Sequence, residues 1–307
     1  MFKTVPLALG ANVFGWTADL NDSFAVLDKF LESEATLIDS ADGYSHWKPG
    51  NSGGESETII GEWLTTRNAR KRVQIATKVS THPDFKGLSP LNVRRAAEAS
   101  LKRLNTDSID LYYAHYDDPE VPIVETAAAF SGLVDAGKVR AIGLSNYSPD
   151  RINEWFKVAR AENLTLPVAL QPHYNLVERD FESNGLRDVA LTEKLSVFPY
   201  YSLAKGFLTG KYRSVNDVDA QHASPRAESA TGYLDDRGRK VLTALDEIAA
   251  AKNVSVTAVA LSWLKHQPTV MAPIASARNT SQLAGLLESL RVSLTADEQK
   301  LLNTASQ

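Results

Sequence analysis

Short runs of apolar and β-branched residues recur along the chain, at Leu7 to Ala11, Thr36 to Ser40, Val73 to Lys78, Ile109 to His115, Arg140 to Ser145, Val168 to His173, Val197 to Ser202 and Val270 to Ala275. Most are nearly continuous in apolar character, the pattern of parallel strands covered on both faces rather than the alternation of a half-wet sheet. Between them lie stretches with helix-end chemistry. Ser89-Pro90 and Ser148-Pro149 each place a hydroxyl N-cap before a proline at the first helical position, where the missing N–H costs nothing. Pro122 can open another helix, ended by Gly137, and a first long helix over about 22–34 sets Phe24, Leu27 and Leu31 on one face. Thr295 with Glu298 reads as a capping box for a last helix.

Eight strands alternating with helices predict an α/β fold of the (β/α)8 TIM barrel type, as a single domain over residues 1–307 with no interdomain linker in view. An open doubly wound sheet usually has fewer strands and a glycine-rich phosphate turn after the first. The first turn here, Gly10-Ala11-Asn12-Val13-Phe14-Gly15, does not fit G-x-G-x-x-G. The stretch from Lys211 to Asp235, after the seventh strand, reads as a long loop without an obvious helix. A loop of that length in a compact domain is usually functional or mobile.

Composition narrows the partners. With 43% hydrophobic and 23% charged residues, the chain has material for a large core and falls outside the disordered class. Lys and Arg number 33 against 37 Asp and Glu, and no run of like charge makes a basic stripe, so nucleic acid and anionic membrane are disfavoured. No apolar stretch approaches the ~20 residues that span a bilayer, and MFKTVPLALG lacks the pattern of a signal peptide. The absence of cysteine removes disulfides and thiol chemistry, and with the other absences it suggests a cytoplasmic location. His46, His82, His115, His173, His222 and His266 are scattered without H-x-H or H-E-x-x-H spacing, so no metal site is expected.

Hydrophilic residues instead gather at the C-terminal ends of the apolar runs. Asp39 ends the second, Lys78 the third, His115 the fourth, Ser145-Asn146 the fifth and Gln171 the sixth. In a barrel these ends converge on the face where barrel enzymes keep their chemistry. Singly, each has a plain reading: Asp39 as a turn or cap residue, Lys78 as a solvated strand end, His115 as a bonded core histidine, Tyr44 as a surface ring beside Trp47.

Together they suit carbonyl reduction. A carbonyl that receives hydride develops negative charge on oxygen, so a proton donor must stand beside it. A free tyrosine has a pKa of ~10, which an adjacent ammonium lowers. Lys78 would supply that ammonium, Asp39 would keep it charged and oriented, His115 would position the substrate oxygen, and Tyr44 would be the acid. Phe14, Trp16, Trp47 and Tyr116 on rim loops could line an apolar substrate pocket, although packing explains them equally well and sugar-derived carbonyls stay open.

These residues resemble the aldo-keto reductase superfamily, over nearly the entire chain. LIDSADGYS looks like the family's Asp-x-x-x-x-Tyr motif and gives Asp39 and Tyr44; IATK gives Lys78 and DLYYAH gives His115. GLSN resembles the Ser-Asn pair that holds a nicotinamide carboxamide, giving Ser145 and Asn146, and LQPHYNL offers Gln171 for the same group. PYYSLAKGFLTGKY resembles the segment whose tyrosine stacks on the nicotinamide ring. It puts Tyr200 there, with Tyr201, Ser202, Leu203, Ala204, Lys205 and Lys211 near the pyrophosphate. The turn Gly10-Ala11-Asn12 joins this expected cofactor site, as does Asp39. PIASARNTSQL resembles the loop that grips the adenosine 2′-phosphate, implying Ser276, Arg278 and Gln282 as contacts and NADPH (NADP+) over NADH. Where the family commonly continues with Glu-Asn, this chain has Gly285-Leu286, which leaves NADH open.

The resemblance therefore implies an NADPH-dependent reductase of a small-molecule aldehyde or ketone. Two rivals remain. One is a cofactor-binding sensor or regulatory subunit on the same fold, against which the four intact catalytic positions argue. The other is a barrel hydrolase or glycosidase, but Asp39 has no clear carboxylate partner, since Asp117 and Asp118 lie in what reads as a loop beyond His115. No heptad or long edge strand advertises an oligomer.

Overall fold

Seven of the eight apolar runs become strands shorter than the run that predicts them, and Val73 to Lys78 becomes a strand of equal length shifted by one residue. A computed structural model, describing residues 6–217 and 225–307, contains β1 (Ala8–Gly10), β2 (Leu37–Asp39), β3 (Gln74–Val79), β4 (Thr81–His82), β5 (Phe85–Lys86), β6 (Leu111–Ala114), β7 (Ile142–Ser145), β8 (Ala169–Gln171), β9 (Ser196–Val197) and β10 (Ile274–Ala275). β4 and β5 are a small antiparallel hairpin that no apolar run announces. The other eight pair in parallel, in the order β10-β1-β2-β3-β6-β7-β8-β9. A bridge between Val197 and Val270 joins the two ends of that order, and there the Met271 amide donates to the Val197 carbonyl at 2.8 Å and the Ile274 amide to the Pro199 carbonyl at 2.9 Å. The eight strands thus curl into a (β/α)8 barrel, as the alternation predicts.

Around it run α1 (Leu20–Leu31), α2 (Glu55–Thr66), α3 (Pro90–Leu104), α4 (Ile123–Asp135), α5 (Pro149–Ala161), α6 (Leu186–Thr192), α7 (Ala227–Thr231), α8 (Asp236–Lys252), α9 (Val256–Lys265), α10 (Thr280–Glu288) and α11 (Ala296–Ala305). α1 begins earlier than its apolar spacing suggests, because the Asp19 carboxylate accepts from the Asp22 amide at 2.9 Å and caps the first turn. Its buried face carries Val26, Leu27 and Phe30, with Phe24 and Leu31 at the margin, so the face is rotated from the predicted one. Ser148 caps α5 through the Arg151 amide, Ser89 makes no such bond, and Pro122 sits at the N-cap of α4 rather than inside it. The Thr295–Glu298 capping box is present.

The segment from Lys211 to Asp235 corrects its reading as helix-free. It contains a 3-10 turn at Val215–Asp217 and the short helix α7, while residues 218–224 lie outside the described residues. α7 has too little apolar periodicity to be seen in sequence; Ala227 and Ala230 alone form its buried side. Among the described residues, no helix is long and apolar enough to cross a membrane.

Two features at the barrel wall set its geometry. Gly61 lets the backbone of α2 touch the end of α3, where a Cβ would come 2.1 Å from the Arg103 carbonyl oxygen. Asp110, buried before β6, accepts from the Ile75 amide at 2.8 Å and pairs with Arg70 at 2.8 Å and Arg140 at 2.9 Å, so its charge is matched where water is excluded.

Candidate active site

At the C-terminal face the strand ends converge as expected, and the residues there are bonded to one another. The Lys78 side chain, fully buried at the end of β3, donates to Asp39 Oδ2 at 2.7 Å, to the Ser40 carbonyl at 2.5 Å and to Tyr44 Oη at 3.2 Å. An ammonium has three N–H donors, and all three are used. Asp39 completes its own set by accepting at Oδ1 from the Gln171 amide at 2.9 Å. Burial works against the Lys78 charge, but Asp39 and then Tyr44 outweigh it and hold the ammonium above its ordinary pKa.

Tyr44 comes to this position on a tethered loop. The Gly54 amide donates to its carbonyl at 3.0 Å, Ser45 Oγ donates to the Phe14 carbonyl at 2.8 Å, and the Asn51 amide bonds the Gly15 and Ser45 carbonyls at 3.0 and 3.1 Å. The phenol differs from its expected electrostatics. Burial raises its pKa, and Lys78 only partly offsets this, so the net shift is upward where the neighbouring ammonium alone predicts a fall. His115, one residue beyond β6, lies 6.2 Å ring to ring from Tyr44. Burial first, and Lys78 second, push its pKa well below the usual histidine range, so the imidazole is neutral at physiological pH.

These groups open into a cavity of about 810 Å³. Of the residues read from sequence, Gly10, Asn12, Asp39, Asn146, Gln171, Tyr200, Tyr201, Ser202, Leu203, Lys205, Lys211, Ser276, Arg278 and Gln282 line it, with Tyr44, His115, Trp16, Trp47 and Tyr116. Ala11, Ser145 and Ala204 do not; they are buried behind the wall. Ser145 Oγ donates to the Gln171 carbonyl at 2.9 Å, which makes it a strut between β7 and β8. Phe14 is likewise corrected from pocket to core, with no exposed surface. Asn146 donates to the His115 carbonyl and accepts from Tyr200 Oη, both at 2.9 Å, and the Tyr200 ring stacks on His173 at 5.3 Å. Sequence reading missed His46 and Thr81, which sit just past Tyr44 and β3 and were findable by position. It also missed Arg226, which no motif marks.

The far end of the cavity fits an anionic, extended ligand. Gly10 makes room there, since a Cβ would stand 2.5 Å from Ser276 Oγ, which itself bonds Asn12 Oδ1 at 2.7 Å. Lys211 and Arg278 share this end closely enough that burial and then the Arg278 charge lower the Lys211 pKa. Crowded cations of this kind are relieved by phosphate oxygens. Gln282 accepts from the Arg278 amide at 3.0 Å and holds that loop at the start of α10. Gly285 and Leu286 are on the same wall, where a Cβ on Gly285 would meet nothing nearer than 3.8 Å.

Comparison with known proteins agrees with this architecture. The family model described as Aldo/keto reductase family matches residues 6–307. The chain is 34% identical to the aldo-keto reductase YhdN of Bacillus subtilis (strain 168), over 97% of this chain and 87% of the relative. It is 31% identical to protein tas of Escherichia coli (strain K12), over 95% and 91% of the two chains. It is 30% identical to norsolorinic acid reductase B of Aspergillus parasiticus, over 99% and 81%. Enzymes of this family are oxidoreductases that act on small-molecule carbonyl groups with nicotinamide cofactors. With a converging rim on a closed parallel barrel and a family match from residue 6 to the last, this chain belongs to the aldo/keto reductase family.

Proposed function

We propose that the protein reduces an aldehyde or ketone to the alcohol with NADPH, and runs the reverse reaction, with Tyr44 as the general acid. The supporting observation is the full use of the Lys78 donors. Because Tyr44 Oη accepts from Lys78, the phenolic proton is left to point into the cavity. Bound nicotinamide supplies the hydride for the carbonyl carbon. As charge moves to the carbonyl oxygen, Tyr44 gives up its proton to that oxygen, and Lys78 stabilises the phenolate that forms. Asp39 keeps Lys78 charged throughout, and neutral His115 offers its one N–H to steer the substrate oxygen without competing as an acid. The raised pKa of Tyr44 keeps the proton in place until the oxygen becomes basic.

Residues suited to the cofactor are Asn146, Gln171 and Tyr200 for the nicotinamide end, Lys205 and Lys211 for the pyrophosphate, and Ser276, Arg278 and Gln282 for the 2′-phosphate. The guanidinium fork of Arg278 suits a phosphate better than a ribose hydroxyl, which favours NADPH.

The test is Tyr44→Phe against a panel of aldehydes. Turnover should fall at least ~100-fold, while the NADPH dissociation constant, read by fluorescence, stays close to that of the parent. Near-parental turnover by the variant would refute the role of Tyr44, and no turnover by the parent would favour a binding subunit.

A further inference from the structure

The wall at the proposed nicotinamide end is two rings thick. Past their ends β8 and β9 run on in parallel, with a bridge between His173 and Tyr200 and the Tyr200 amide donating to the Pro172 carbonyl at 2.9 Å. This sets the two rings side by side, stacked at 5.3 Å with 13° between their planes. Tyr200 lines the main cavity and His173 does not, so the phenol stands between the imidazole and the cavity. His173 borders instead a second cavity of about 230 Å³, which Tyr200 and Asn146 also line. We propose that His173 is a positioning residue for the cofactor, holding the Tyr200 ring in the plane on which the nicotinamide lies. This rests on the cofactor placement proposed above and adds what fixes it.

A phenol held only at its oxygen can still tip about its side-chain bonds. Tyr200 Oη donates to Asn146 at 2.9 Å and Tyr201 packs across the ring at 5.3 Å and 72°, but the parallel stack on His173 is the contact that sets its tilt. The charge of the imidazole matters as well. Oxidised nicotinamide carries a positive charge that the reduced ring lacks, so a cation behind Tyr200 opposes NADP+ and leaves NADPH nearly untouched. Burial lowers the His173 pKa, with Lys205 acting in the same direction and Glu178 and Asp180 opposing. Among the described residues, the other titratable groups around it are the stacked phenols of Tyr200 and Tyr201, and Tyr147 in the second cavity. His173 Nε2 is buried with no partner, so the cation would carry an N–H without an acceptor. The ring is therefore uncharged at neutral pH and gains its charge only on acidification below ~6.5. The competing account is that His173 merely fills space behind Tyr200.

Titrations read by protein fluorescence separate these accounts, using NADPH, NADP+ and 2′-phospho-ADP-ribose, which is the cofactor without its nicotinamide. His173→Leu should weaken NADPH about threefold or more, the worth of a stacked pair, and leave 2′-phospho-ADP-ribose within about twofold. His173→Phe, which keeps a flat ring, should restore NADPH binding. In the parent the ratio of the NADP+ to the NADPH dissociation constant should rise about threefold from pH 8 to pH 5 as His173 takes up its proton. The 2′-phosphate titrates in both forms and cancels, and in His173→Phe the ratio should stay flat. Equal weakening of all the ligands by His173→Leu, no weakening of NADPH, a flat parental ratio, or the same rise in His173→Phe overturns the proposal. The expected binding results in a protein that reduces no aldehyde would sink the reductase reading and keep the role of His173. Aldehyde reduction with NADPH by a parent whose His173→Leu variant weakens every ligand alike would do the reverse.

Discussion

Two buried acids close to Tyr44 have opposite fates. Asp39 is matched by Lys78 and Gln171, whereas Asp42, with no exposed surface, makes no well-formed side-chain bond. Burial, then the nearby Glu57 charge, hold the Asp42 carboxyl well above the usual range, with Arg103 opposing. The sign of its effect on stability follows. Below the unfolded pKa of ~3.9 both states carry the proton. Above it the unfolded chain releases its proton and the native state does not, so stability falls as pH rises toward the native pKa. Asp42→Asn keeps the shape without the titration. Denaturant midpoints should therefore show the variant gaining on the parent between pH 4 and pH 8, and a pH-independent difference would contradict this. The motif around Tyr44 was legible because its spacing is local. The state of Asp42 was not, because its neighbours Glu57 and Arg103 arrive from α2 and α3.

Among the elements, helix ends were read best where one side chain bonds the backbone a turn away. The Thr295 box closes with Glu298 Oε2 accepting from the Thr295 amide at 2.7 Å and Thr295 Oγ1 accepting from the Glu298 amide at 3.3 Å. Thr295→Ala should cost about 1 kcal/mol, measured by urea denaturation. A loss below a few tenths would mean that the Glu298 bond alone holds α11, helped by the Lys252 pairing at 3.0 Å. Strand ends were read less well. β9 starts one residue early at Ser196 and keeps only Val197 of the run that reads from Val197 to Ser202, since Ser202 Oγ turns back to the Pro199 carbonyl at 2.9 Å and the chain leaves the sheet to line the cavity. α1 was legible as a helix, but its inward face was settled by the barrel it lies on.

At the scale of the molecule, the proposed cofactor site joins segments far apart in the chain, from Gly10 through Lys211 to Arg278. Arg278→Gln should weaken NADPH about tenfold or more, the worth of a charge-assisted bond, and leave NADH within about twofold by fluorescence titration. Equal weakening of both would make Arg278 a loop support. By itself the sequence determined the alternation of strand and helix, and with it the barrel and the face where Asp39, Lys78 and His115 meet, because apolar periodicity and strand-end position are local properties. Tertiary structure alone decided that Phe14 and Ser145 withdraw behind the wall, that Tyr44 keeps its proton more tightly than its neighbour Lys78 would suggest, and that Arg226 enters the cavity. Burial and charge at a point depend on every element that reaches it, and no window of sequence contains them all.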